Sequence, residues 1–308
     1  MTTRLLRGFY MFGHRSDGVE LKNISPEFKI IPSLMTERDD SQVFFNQDIV
    51  VTPIENYINK KAEEGYKFTY MDVIFAAVLR IIAKRPRLNR FVINGRIYAR
   101  NSITISLTIK KSLSDEADES NLKIPFDGTE TIFEVRDKIE KLIEENKSDP
   151  ADNNSTDKTA KIISMIPTCF IKLVVWMIKK LDKHGYLPKA LIKVSPFHTS
   201  AYITNVGSLG INSIYHHLYN FGTTSMFFAM GKRKKSYVYE DDEIKEEKCI
   251  NIAFVGDERI CDGYYYAHSF RQLCKYLAKP ELLEKPGELV LDDEISDETK
   301  YQEPSFSE

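Results

Sequence analysis

The residues able to do chemistry in this chain are few and widely spaced. Four cysteines, Cys169, Cys249, Cys261 and Cys274, form no CxxC pair. A zinc ribbon or a redox dithiol needs that spacing, so neither a metal nor a dithiol reaction is expected, and the usage suits a reducing compartment. The histidines are His14, His184, His198, His216, His217 and His268, with no HExxH arrangement among them. There is no Gly-rich phosphate loop or EF-hand. Gly207-Ser208 lacks the second glycine of a nucleophile elbow. Two segments remain, Ala201 to Gly210 (AYITNVGSLG) and Phe254 to Leu283 (FVGDERICDGYYYAHSFRQLCKYLAKPELL). They offer one strand hydroxyl, Thr204, and a carboxylate-rich turn with Asp257, Glu258, Arg259 and Asp262. On residue type alone Thr204 is an ordinary strand threonine, Asp262 a turn residue before Gly263, and His198 a surface or loop residue.

Something must position these groups. The 308 residues are 42% hydrophobic and 29% charged, enough apolar material for a real core. Lys and Arg number 43 against 45 Asp and Glu, a formal charge of −2 that gives no general reason to bind nucleic acid or an anionic membrane. The first residues, MTTRLLRGFYMFGHR, contain no continuous apolar run, so no signal peptide is read and a cytoplasmic protein is expected.

Hydrophobic spacing predicts interleaved strands and helices. Gln42 to Val51 reads as a strand, and Thr52-Pro53-Ile54-Glu55 as a capping box opening a helix to about Glu64. A second box, Thr69 to Asp72, precedes a core helix carrying Val73, Ile74, Ala77, Val78, Ile81 and Ile82 and ending before Pro86. Asn94-Gly95 between two β-rich runs predicts a tight hairpin. Alternation at Ile103, Ile105, Leu107 and Ile109 gives a strand with one buried face. Ser114 to Ser120 reads as a solvated loop. Thr131-x-x-Glu134 opens a further helix that runs into the polar linker KSDPADNNSTDK.

The most apolar stretch, Ile162 to Ile178, is interrupted by Pro167 and Lys172 and is short for a membrane span. It reads as a buried or partly interfacial helix within a helical insertion at 155–195, with an amphipathic membrane-surface role as the minor alternative. MFFAMG and CINIAFVG read as strands joined by a charged connection, Lys232 to Lys248, whose basic residues Lys232 to Lys235 and acidic residues Glu240 to Glu247 suit a hairpin tip. Residues 284–308 read as an acidic, flexible tail. The pattern is that of one α/β domain over 1–283 with a mixed sheet.

In the two informative segments the chain resembles the catalytic domain of the 2-oxoacid dehydrogenase acyltransferases, whose fold is shared with chloramphenicol acetyltransferase. That family's D-H-R-x-x-D-G pattern aligns with Asp257, Arg259, Asp262 and Gly263, and its helix end N-P-x-x-L-L with Ala278 to Leu283. Its T-[IL]-S-N-[IL]-G strand aligns with Tyr202 to Gly207, and its A-[IV]-L-[AG]-[VL]-G strand with Met226 to Gly231. The resemblance implies a chloramphenicol acetyltransferase-like two-layer sandwich with helices packed on one face of a mixed β-sheet. It also implies a homotrimer with sites between subunits, and acyl transfer from coenzyme A or another thioester to a small-molecule acceptor. No lipoyl-bearing lysine motif precedes the domain, so a stand-alone version is expected.

The resemblance assigns Thr204 as donor to the oxyanion and Asp262 as the residue that holds the site's geometry through an ion pair. The position of the catalytic histidine carries Glu258. A glutamate near its ordinary pKa of about 4.3 is a poor base for a thiol near 8.5, an uphill transfer of roughly 5–6 kcal/mol. The sequence therefore supports an acyltransferase with altered or impaired chemistry, or an inactive binding and assembly module that keeps the fold; a third class is a peripheral membrane protein that uses Ile162 to Ile178.

Overall fold

The computed structural model describes residues 15–110, 119–148, 167–240, 242–292 and 294. Parts of several sequence readings lie outside them: 114–118 of the acidic stretch, Ile162 to Ile166 of the apolar run, 149–158 of the polar linker, and the end of the tail. In chain order the elements are β1 (Gly18–Glu20), α1 (Pro26–Leu34), β2 (Gln42–Val50), α2 (Thr52–Glu63), α3 (Tyr70–Lys84), β3 (Arg90–Ile93), β4 (Arg96–Arg100), β5 (Ile103–Lys110), β6 (Glu119–Phe126) and α4 (Ile132–Ser148). They continue with α5 (Thr168–Lys183), α6 (Lys189–Val194), β7 (Ala201–Asn205), β8 (Met226–Glu240), β9 (Glu243–Asp257) and α7 (Gly263–Ala278).

Six strands form one mixed sheet in the order β2-β9-β8-β7-β5-β6, and β1-β4-β3 form a small antiparallel one. β7 lies parallel to both β5 and β8, while the remaining pairs of the large sheet are antiparallel. The period-2 alternation sorts its residues cleanly. Ile105, Ile203, Phe228, Ile252 and Phe254 point into the main core with α2, α3 and α7, while Tyr202, Phe227 and Val255 form a second cluster with Leu218 on the other face. The two-layer arrangement with helices on one face is therefore the one expected. α3 is buried on nearly every side, Val73 to Ala83, which is why its sequence is apolar beyond one stripe.

Local signals explain much of this. The Thr69–Asp72 box is formed in both directions, and Thr131–Glu134 exchanges the same pair of bonds. Asn94 and Gly95 both take positive φ, 52° and 72°, as the two-residue hairpin requires. The box expected at Thr52–Glu55 does not form. Val51 caps α2 without a side-chain bond. Glu55 instead accepts from Tyr70, Arg233 and Lys248, and Thr52 donates to Glu247.

Other expectations need correction. Glu119 and Ser120 belong to β6 and not to a loop. The charged connection Lys232 to Lys248 is itself strand: β8 and β9 run on past a bulge at Met230/Arg233, and the pairing closes at Glu240↔Glu243. Lys235 thus lies in the ladder, bonded to Glu246 at 2.6 Å, and not at the tip. The stretch read as tail is docked as far as Asp292, through Gly287 N–H to the Thr129 carbonyl, Val290 N–H to the Ala83 carbonyl, and a buried ion pair from Asp292 to Arg90. α5 is largely exposed and not buried. His198 is 2% exposed and not a surface residue; its ring bonds Ser195 at 2.8 Å and Asp182 at 3.1 Å.

Candidate functional site

Thr204 sits on β7 opposite Ala229 of β8, partly exposed. By alternation its side chain is on the face of the sheet that also carries Tyr202 and Phe227, away from the main core. Four rings pile up on this face in near-parallel planes. His217 lies 4.8 Å from His216, His216 lies 4.2 Å from Phe227, and Phe227 lies 5.1 Å from Tyr202.

His216 is the chemically informative member. Its Nδ1 is 2.8 Å from the His217 carbonyl. A carbonyl only accepts, so Nδ1 carries the proton and the neutral ring keeps Nε2 as an acceptor. Burial lowers the His216 pKa below its ordinary 6.5, with the His217 carbonyl bond opposing that shift and the nearby His217 adding to it. No motif points to His216, because nothing local marks an irregular segment that folds back over a distant strand.

The D-E-R turn is built around its first residue. Asp257 is fully buried and accepts two side-chain bonds from Arg259, at 2.8 Å each, and one from Ser41 at 3.0 Å. Arg38 lies 3.4 Å away on the other side. Burial raises the Asp257 carboxyl, but the bonds and charge of Arg259 together with Arg38 outweigh it, so the pKa ends below the ordinary carboxylate value. Because Asp257 and Arg259 both turn inward, the residue between them turns out: Glu258 is exposed and only its backbone N–H is held, by the Ser41 carbonyl at 2.8 Å. Asp262 is exposed too and is the N-cap of α7, accepting from the Tyr265 N–H at 2.7 Å.

The three sequence candidates are therefore not brought together in one chain. Thr204 pairs with Ala229, and Ala229 with Ala253. Glu258 lies beyond Asp257, at least four ladder rows along β9 and two strands across, which is roughly 13 Å by 10 Å. An open cleft of about 310 Å³ lies beside the turn, between Arg38, Asn94, Phe221, Arg259 and Lys179 of α5. None of Thr204, Glu258 and Asp262 lines it. Among the described residues no cluster of three or more His, Cys, Asp or Glu could hold a metal ion, and no helix is long and apolar enough to cross a membrane.

Two glycines are structural necessities here. A Cβ on Gly207 would lie 2.5 Å from the Gly231 carbonyl oxygen, and one on Gly231 would lie 2.3 Å from the Ser213 nitrogen. These are the terminal glycines of the two strand motifs, and they let the segment after β7 pass directly over β8.

Comparison with known proteins places these features. The family model for the catalytic domain of 2-oxoacid dehydrogenase acyltransferases matches residues 197–284, which hold Thr204, the D-E-R turn and α7. No curated protein matches the chain. Among solved structures, a probable dihydrolipoamide acetyltransferase from Listeria monocytogenes is similar with TM-score 0.55 and 18% identity, over 84% of this chain and 94% of that one. The cubic core of the pyruvate dehydrogenase multienzyme complex gives 0.55 at 10% identity, over 86% and 94%. The dihydrolipoamide acetyltransferase of Azotobacter vinelandii gives 0.55 at 12%, over 86% and 94%. At such identities the fold is what is shared. The chain carries an acyltransferase-fold domain, as the motif resemblance implied.

Proposed function

We propose that this acyltransferase-fold chain takes an acyl thioester, in the first instance of coenzyme A, at a site completed between subunits of a homotrimer, and that transfer there is slow. The observation that carries this reading is the separation of Thr204 from Glu258. The matched segment contains both, yet in one chain they lie too far apart to face one acyl carbonyl. Two copies could bring the Thr204 of one against the Glu258 of the next. The cubic core among the fold's relatives is itself a multi-subunit assembly.

In such a site the attacking thiol or hydroxyl gives its proton to the Glu258 carboxylate as it bonds to the acyl carbon. The Thr204 hydroxyl donates to the oxygen that becomes negative. The tetrahedral species then expels the coenzyme A thiolate, which takes the proton back. A carboxylate is a weak partner for that proton, hence the slow rate.

A second reading, a binding and assembly module without turnover, is favoured by Asp262: the carboxylate that the resemblance assigns to an ion pair caps α7 and makes no ion pair among the described residues. Acetyl-CoA consumption across pH 6–9 separates the two. Slow turnover in the natural chain, falling about 100-fold in Thr204→Ala, supports transfer. No turnover in the natural chain with activity in Glu258→His supports the binding module. A monomer by sedimentation velocity, inactive in every form, rejects both.

A further inference from the structure

The helix α5 leaves an apolar stripe with no partner in the described chain. Phe170, Leu173, Val174 and Met177 recur at helical spacing and are 56%, 56%, 46% and 47% exposed. Trp176 beside them is 58% exposed. The helix is held from another side, by the half-buried Ile171 and Ile178. It is also held by Asp182, which is buried and bonded to Arg15 at 2.9 Å and His198 at 3.1 Å. α5 is thus fixed to the domain along one edge and offers the other outward.

The charges around the stripe are of one sign. Between residues 167 and 194 the ionised side chains are Lys172, Lys179, Lys180, Lys183, Lys189 and Lys193, all exposed, and the only acidic residue is the buried, paired Asp182. This in a chain of formal charge −2 is a segregated basic surface. A helix with a bare apolar stripe on one face, a tryptophan at its margin and lysines around the other is complementary to an anionic lipid surface. At 16 residues, roughly 24 Å, the helix lies on a bilayer rather than crossing it.

We propose that α5 and the basic segment after it dock the protein on anionic membrane surfaces, with the Phe170, Leu173, Val174 and Met177 stripe at the headgroup boundary and the lysines against lipid phosphates. This takes up the membrane-surface alternative that the apolar run offered in the sequence, on the exposure of its helix. It does not depend on the acyl-transfer reading.

The test uses the full chain and large unilamellar vesicles of phosphatidylcholine, with or without about one third phosphatidylglycerol. Trp176 is the only tryptophan, so its emission reports the site directly. Expected are a blue shift and co-sedimentation with the phosphatidylglycerol vesicles only. Raised salt should weaken both, Lys172→Glu/Lys179→Glu should weaken them by about thirtyfold or more, and Leu173→Ser/Met177→Ser should abolish them, with far-UV circular dichroism unchanged. Three results each overturn the proposal: no association of the folded chain with anionic vesicles, association unchanged in either variant, or dissociation of a self-assembled species by Leu173→Ser/Met177→Ser. The last would show that a second copy covers the stripe.

Discussion

Arg90 and Asp292, 202 positions apart, face each other through two parallel bonds of 2.5 and 2.6 Å, with Arg90 fully buried and Asp292 nearly so. Breaking a buried pair from one side strands a charge. Asp292→Asn is therefore expected to lower unfolding free energy by about 3–5 kcal/mol, while Arg90→Met/Asp292→Leu recovers much of the loss. Urea unfolding of the single and double variants measures both.

Asp257 makes the same argument with a pH signature. Its folded pKa is held below the unfolded value of about 3.9, so its contribution is fully present above that value and is lost as pH falls through the folded one. Unfolding midpoints should drop as pH falls below about 4 in the natural chain, and less steeply in Asp257→Asn. A parallel slope in the two would refute the assignment.

The exposed pair of the same turn should behave differently. Removing the α7 cap in Asp262→Ala is expected to cost about 1 kcal/mol, with Asp262→Ser close to neutral. Glu258→Gln should change stability by no more than about 0.5 kcal/mol, as at any solvated site. Thermal melts that put the larger loss at Glu258 would contradict the geometry.

The close passage of Gly207 over Gly231 leaves no room for a methyl group. Gly207→Ala and Gly231→Ala are each expected to destabilise by about 1–3 kcal/mol, because backbone and not a movable side chain meets the added carbon. Denaturant titration reads the loss.

His216 should titrate below the ordinary 6.5 because burial disfavours its charged form. Folding is then opposed by protonation, so this group's contribution is present above about pH 6.5 and is lost as pH falls through the lower folded value. The imidazole proton resonances of the natural chain, assigned with His216→Gln, give the midpoint.

What the sequence revealed about the fold was whatever is decided within a few residues. The boxes at Thr69–Asp72 and Thr131–Glu134 and the Asn94-Gly95 turn formed because each donor meets its acceptor three or fewer positions away. The box at Thr52–Glu55 failed because Glu55 has better partners in Arg233 and Lys248, 178 and 193 positions on. The charged halves of β8 and β9 looked like a connection because their ladder is largely exposed beyond the bulge and needs no apolar alternation. His198 read as a surface or loop residue because its buried partner Asp182 lies 16 positions away on another element. For the candidate site, the strand carrying Thr204 and the turn carrying Glu258 were legible from their motifs. Their separation was not, because it depends on strand order, and neither was the imidazole stacked above Phe227.

That strand order bears on how the molecule comes into being. β2, near the start of the described chain, is zipped to β9, near its end, and β7 slots between strands made about a hundred residues earlier and twenty later. A nascent chain leaving the ribosome has no partner for its first long strand until almost everything has emerged, so the large sheet closes only after synthesis is nearly complete. Cutting the gene anywhere between β2 and β9 should give two halves that are each insoluble alone and fold only when produced together.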